Sequence, residues 1–329
     1  MVSIRDVAKQ AGVAISTVSK VLNNYPNVSE ETRKKVNKAI DELDFVPNTI
    51  AAALSSKKSG RIALLINLHA QTQAIDEIGM QYMAGAIHQA QEFNLDMVTV
   101  FFTMIQEMSM EELTRYFLSQ NIAGVIICGL SKDDAVLQAL IRAEKFKIVV
   151  IDAPIVNAAT SSVWIHHKRA QYDIAKKTIL QNNASRVLYI AGKTNGYVTD
   201  ERLKGMEQLV MDMDLTMLVR FGNFSELEAR KLTFQYAQHK DIVVCASDLM
   251  AIGAMKALTE MDIFRPVCGF DGITLMGYVG KQMNTVKQNF FRISGEAVKE
   301  LHSLMEGSTG RNIVLDYEMV RMQYLDIIC

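Results

Sequence analysis

From Arg61 onward, short apolar runs alternate with longer stretches whose apolar residues recur every three or four positions. The runs Arg61 to Asn67, Asp96 to Phe102, Ile122 to Cys128 and Lys147 to Asp152 read as strands, as do Arg186 to Ala191, Asp241 to Ala246 and Pro266 to Phe270. Between them, Ile75 to Phe93, Glu111 to Ser119, His167 to Gln181, Glu201 to Met213, Leu227 to His239 and Leu249 to Met261 carry the helical period. Such alternation predicts an α/β body: parallel sheets covered by helices on both faces. Two sets of strands predict two Rossmann-like lobes. Ligands then bind outside the carboxyl ends of the strands, in the cleft between lobes.

The first 45 residues follow another pattern. Ser3 with Asp6 three residues on makes a capping box, Val7, Ala8 and Ala11 give an apolar face, and Gly12 supplies a turn. A second helix buries Val18, Val21 and Leu22 and turns Ile15, Ser16 and Lys20 outward. A third starts at the N-cap Ser29 and buries Val36, Ala39, Ile40 and Leu43. This is a helix-turn-helix, an all-α head. In such a motif the start of the second helix faces base edges in the major groove, and neighbouring hydroxyls and amides hold phosphates. Base reading is therefore expected from Ile15, Ser16 and Lys20, and backbone contacts from Thr17, Ser19, Asn23, Asn27, Ser29 and Thr32. The expected division is a DNA-binding domain over 1–46, a linker over 47–59 and a body over 60–329. Within the body, one lobe spans about 60–156 and 287–312, the other about 157–286 and 313–329.

Charge supports that division. Arg33, Lys34, Lys35 and Lys38 mark the outer face of the third helix, a run that elsewhere would be an ordinary solvated face. Residues 1–60 hold nine Lys or Arg against six Asp or Glu, and the rest hold 26 against 30. A basic head on a mildly acidic body suits a nucleic-acid binder. The N-terminus has no apolar signal core and no run reaches the roughly 18 apolar residues of a membrane span, so a cytoplasmic protein is expected. The four cysteines are far apart, which fits reduced thiols and excludes a zinc site of paired ligands. No Gly-rich phosphate loop follows a strand and no Gly-x-Ser-x-Gly elbow is present, so neither enzyme nor cofactor is expected. A sugar-binding transport protein would explain the body alone.

The runs Asp6-Val7-Ala8, Ala11-Gly12-Val13, Thr17-Val18-Ser19-Lys20-Val21-Leu22-Asn23 and Val28-Ser29 resemble, nearly position for position, the signature of the lactose-repressor (LacI/GalR) family of bacterial transcription regulators. Ala14 departs from it, where the family usually has a capping Ser or Thr. The resemblance extends along the whole chain and implies a body of the type I periplasmic-binding-protein fold. It also implies that the Ala-rich segment after Pro47 is a hinge helix in the minor groove, contacting DNA through Asn48 and Ala51, with Leu54 as the wedge that opens a base step. Two-fold proteins favour two-fold sites, so a homodimer on a pseudo-palindromic operator is expected, and the absence of a heptad tail argues against a tail-built tetramer.

For the cleft, Asp152 and Asp271 end strands, Ser247 stands before Asp248, and the resemblance places the effector-binding arginine at Arg202 and a stacking aromatic at Phe224. Carboxylates accept from hydroxyls, a guanidinium donates in a fork and a ring packs on C–H faces, which together suit a sugar. Truncating Arg202 is then expected to abolish the ligand response and spare DNA binding. The family's usual Asp-Asn after the crossover strand is replaced by His166-His167, and a common second Asp by Gly272. Adjacent residues of a strand point to opposite faces, so the two histidines cannot share a metal ion. The effector is a sugar, a phosphorylated sugar held by His69 or Lys287, or a partner protein in place of a metabolite.

Overall fold

In the computed structural model, which describes residues 2–22, 25, 27–45, 60–67, 76–279 and 282–322, the chain divides into two units, Met1–Ser59 and Gly60–Cys329. Asn23, Asn48, Ala51, Leu54 and His69, all assigned contacts from the sequence, lie outside the described residues.

The head is three helices, α1 (Ile4–Ala11), α2 (Ile15–Leu22) and α3 (Glu30–Glu42). The Asp6 carboxylate accepts from the Ser3 amide at 2.9 Å and the Ser3 hydroxyl at 2.7 Å, which closes the start of α1. Gly12, at φ 65°, ends it with its N–H returned to carbonyls of the last turn. Ser29 caps α3, accepting from the Thr32 amide at 3.3 Å. Val7, Val18 and Val36 are fully buried, and with Ala8, Val21 and Ala39 they make the small core.

In the body the elements run β1 (Arg61–Ile66), α4 (Glu77–Glu92), β2 (Asp96–Phe101), α5 (Phe102–Ile105), α6 (Met110–Ser119), β3 (Ile122–Cys128), α7 (Ala135–Arg142), β4 (Lys147–Ile151) and β5 (Thr160–Ile165). There follow α8 (His167–Asn182), β6 (Arg186–Ala191), α9 (Tyr197–Met213), β7 (Thr216–Phe221), α10 (Glu226–Tyr236), β8 (Ile242–Cys245), α11 (Asp248–Glu260), β9 (Val267–Cys268) and β10 (Met283–Lys287). The last are α12 (Phe290–Met305), β11 (Asn312–Leu315) and β12 (Glu318–Met322). One sheet has the order β11-β5-β4-β3-β1-β2 and is parallel throughout; the other has the order β12-β10-β9-β8-β6-β7, with only β12 antiparallel. The central strands β1, β3, β4, β6 and β8 are almost wholly buried, as their unbroken apolar runs require.

The lobe boundaries differ from those expected. Residues 160–165 form β5 in the first sheet, not the start of the second lobe, and 312–315 form β11 beside it. Lys287 ends β10 in the second sheet. The chain therefore crosses between lobes near 166, 288 and 316, and the third crossing is tied to α8 by the Tyr317 hydroxyl donating to Asp173 at 2.8 Å. Thr160, Ser161 and Ser162 hid the strand, because three buried polar residues do not read as an apolar run.

Glycines let three helix pairs approach closely. A Cβ at Gly85 of α4 would stand 2.1 Å from the Phe291 carbonyl oxygen, one at Gly205 of α9 2.2 Å from that of Lys168, and one at Gly253 of α11 2.1 Å from that of Glu226. In Gly253→Ala, a gain of about 1 kcal/mol in helix propensity competes with overpacking of typically 1–3 kcal/mol, here against backbone. Net destabilisation is expected in chemical denaturation of the full chain; an alanine variant more stable than wild type would contradict the close approach.

Candidate nucleic-acid interface and ligand cleft

On α2 the side chains divide as the period requires. Val18 and Val21 are buried, while Ile15 (46% exposed), Ser16 and Lys20 face solvent, with Thr17 and Ser19 half-buried beside them. An apolar side chain held this open at the start of a helix suits a thymine methyl, and the lysine suits a guanine edge. The Ala14 carbonyl accepts from Thr17 and Val18, so the chain itself starts this helix where the hydroxyl is missing. Asn27 and Ser29 are exposed, and the Thr32 hydroxyl shares a 2.9 Å hydrogen bond with Ser29. The basic face of α3 is partly internal: Lys35 pairs with Glu31 at 2.8 Å and Lys38 with Glu42 at 3.7 Å. Exposed pairs of this kind hold weakly and are exchanged for phosphates at little cost.

In the body the carboxyl ends of strands from both sheets meet around Arg202. Asp152 follows β4 with φ 62°, and Asp271 follows β9 with φ 126°. Asn223 and Phe224 are also left-handed, at 54° and 58°. Phe224 at 58° and Asp271 at 126° hold backbone that side-chain-bearing residues rarely adopt, a cost that persists mostly at functional positions. His167, not assigned from the sequence, joins the two lobes. Its Nε2 lies 2.8 Å from Asp152 Oδ1, and the Arg202 Nε and Nη2 both lie 3.4 Å from its Nδ1. A guanidinium can only donate, so Nδ1 accepts and Nε2 carries the hydrogen given to Asp152. Burial pushes the His167 pKa down against the pull of Asp152, which keeps the ring neutral.

Arg202 is 4% exposed and lies at the centre of this network. Its Nη1 donates to the Ala246 carbonyl and stands 3.5 Å from Asp271 Oδ1, while its guanidinium carbon sits 3.7 Å from the centroid of the Phe270 ring. Tyr82, from α4, donates to Asp152 Oδ2 at 3.3 Å, and Gln288 Nε2 donates to Asp271 Oδ1 at 3.1 Å. Asp248 holds the loop that aims Asp271, accepting from the Gly272 and Ile273 amides at 2.7 and 2.9 Å and from the Thr285 hydroxyl at 2.6 Å. Gly272 is required there: a Cβ would meet the Lys287 Cα at 2.5 Å. Ser247 caps α11 by accepting from the Met250 amide at 3.3 Å, and the Phe224 ring lies flat against Gly192, where a Cβ would meet it at 2.1 Å.

Asp152, Arg202 and Asp271 thus come together with His167, Tyr82, Gln288 and Phe270, which sequence reasoning missed because their partners are remote along the chain. The two histidines are not strand neighbours as expected: His166 stands at the N-cap of α8 and is exposed against Trp164, while His167 opens the helix and is buried. Among the described residues no cluster of His, Cys, Asp or Glu fits a metal ion, and Cys128, Cys245 and Cys268 are buried free thiols.

The lobes are also bridged outside this network. Glu77 at the start of α4 accepts from the Thr274 amide at 2.9 Å and its hydroxyl at 2.7 Å. Ser131 after β3 pairs with Gly196 after β6, and Lys132 pairs with Asp200.

Burial outweighs Arg202 and pushes the Asp271 carboxyl up to about 8. The folded protein then holds a proton that an unfolded aspartate, near 3.9, has released, so stability falls as pH rises from about 4 to 8. Asp271→Asn removes that dependence. Its melting temperature is expected to decline less than that of wild type between about pH 6 and 8; parallel curves would refute the shift.

A helix-turn-helix unit and a two-lobed body with a polar cleft define the class of DNA-binding regulators that carry a ligand-domain fold. Residues 3–48 match the family described as bacterial regulatory proteins, lacI family, and residues 80–276 match the periplasmic binding proteins and sugar binding domain of LacI family. The chain belongs to the LacI family and is a DNA-binding transcription regulator, not an enzyme. It is 24% identical to the transcriptional repressor PurR of Aliivibrio fischeri, covering 92% of this chain and 91% of that one. It is 27% identical to the transcriptional regulator RegA of Clostridium saccharobutylicum, covering 98% of each. In fold it is similar to a lac repressor dimer bound to operator and the anti-inducer ONPF, with TM-score 0.82, 24% identity and 98% of each chain covered. No helix among the described residues is long and apolar enough to cross a membrane.

Proposed function

We propose that the protein is a homodimeric repressor of carbohydrate-related genes, released from or driven onto its operator by a sugar-like effector bound in the interlobe cleft. The observation that carries this is the chain Asp152–His167–Arg202–Asp271, which takes one carboxylate from each lobe. A ligand that inserts into it must change how the lobes are held, and a coupling of about 1–3 kcal/mol is enough for a switch. Asp152, Arg202, Phe224, Ser247, Asp271 and His69 contact the effector in this reading. Ile15, Ser16 and Lys20 read bases, and Leu54 wedges the minor groove. The match to an operator-bound repressor dimer supports the two-fold arrangement. So do exposed apolar residues of the body, Met80 and Ile87 on α4 and Tyr278 beside a groove of about 650 Å³ lined by Ile252, Met255 and Leu275.

The test begins with an operator selected from random duplex DNA. Leu54→Ala is expected to weaken operator binding and leave effector affinity intact. Linkage further requires that operator DNA and effector change each other's affinity by the same factor. Calorimetric titration of effector with and without operator checks this: equal affinities, alongside a clear effector response in DNA binding, would sink the allosteric reading.

A further inference from the structure

The cleft network holds more carboxylates than cations. Asp152 and Asp248 both lie in the field of Asp271, with Tyr82 facing Asp152 and Asp271 from α4. Among the described residues, Arg202 is the cation paired within this set. Its Nε and Nη2 go to His167 Nδ1 and its Nη1 to the Ala246 carbonyl, with Asp271 Oδ1 3.5 Å from Nη1, and the neutral His167 adds no charge. Gln288 is 3% exposed and gives its Nε2 to Asp271, yet its Oε1, on the same amide, has no partner. An unpartnered acceptor beside a carboxylate needs a donor, and carboxylates outnumbering their counter-ion need a cation.

We propose that this cleft recognises an amine: a hydroxyl-bearing ligand whose ammonium group lies against Asp271 and the Gln288 amide oxygen, with hydroxyls directed at Asp152. This rests on the cleft being the effector site and deepens it by naming the ligand's charge. A phosphate or carboxylate group would instead meet Asp152 and Asp271. Lys287, the sequence's candidate for a phosphate, is exposed at the end of β10 and sits opposite Glu318.

Melting of the full chain is measured with glucose, galactose and mannose, with the 2-amino-2-deoxy derivative of each and with the 6-phosphate of each, followed by calorimetry on every compound that shifts it. At least one amino sugar is expected to raise the melting temperature by several degrees and to bind roughly tenfold more tightly than its parent sugar. Asp271→Asn should lose that gain while still binding operator DNA, which shows that the variant folds. A parent sugar or 6-phosphate that binds as tightly as the amine, and depends on Asp271, would overturn the charge assignment and leave the cleft as effector site. No Asp271-dependent shift with any compound would overturn both.

Discussion

Arg202→Ala is expected to lower the melting temperature of the full chain by roughly 10 °C. Removing one partner of a buried charged network costs about 3–5 kcal/mol, and in a domain of this size each kcal/mol moves melting by about 2–4 °C. The loss has identifiable parts. The Ala246 carbonyl and His167 Nδ1 lose their donor, Asp271 loses the guanidinium beside it, and Phe270 loses the cation on its face. Above about pH 8, where Asp271 is ionised, Asp271→Asn in the same chain should restore part of the stability, and the two substitutions should be non-additive. A melting temperature within about 2 °C of wild type would mean that Arg202 is a ligand contact and little else. Sequence alone suggests that reading; the burial of the guanidinium argues against it.

The second large effect is on DNA. Lys20→Ala is expected to cost about 1–3 kcal/mol on the selected operator and to relax preference at one base pair per half-site, since a lysine on the exposed face of α2 can donate to guanine O6 and N7. Fluorescence anisotropy on the operator and on single-base variants separates the outcomes. An equal loss on every sequence would assign Lys20 to a phosphate. Val18 and Val21 on the opposite face hold α2 against the head's core, so the substitution should leave the thermal unfolding of the head unchanged.

What the sequence revealed was local. Ser3, Gly12 and Ser29 act within a turn or two of where they stand, so caps and the left-handed stop could be read directly. The apolar runs of β1, β3 and β4 declare themselves because nothing but a buried parallel strand needs them. Ser161 and Ser162 failed that reading because their burial is made tolerable elsewhere. The Ser161 hydroxyl donates to Glu300 at 2.8 Å, 139 residues on, and Ser162 donates to the Ala153 carbonyl at 2.7 Å. Glu300 in turn is buried against Arg311. His167 escaped for the same reason. Its partners Asp152 and Arg202 are 15 and 35 residues away, and only the fold makes the three one group.

The triple crossing of the chain bears on its synthesis. The first sheet includes β11, and its face is covered by α12, which packs on β3, β4 and β5 and against α4. Both elements follow nearly all of the second lobe along the chain, so the first lobe cannot close vectorially, although it is started first. While the second lobe is being translated, the apolar residues that α12 will cover, Val149 and Val163 among them, await their lid. Nascent chains stalled short of residue 290 should therefore be sticky and bind chaperones, whereas a stall that leaves 290–315 outside the tunnel should release them. Two lobes that look alike in the finished protein have opposite histories: the second folds from nearly contiguous sequence, the first only in retrospect.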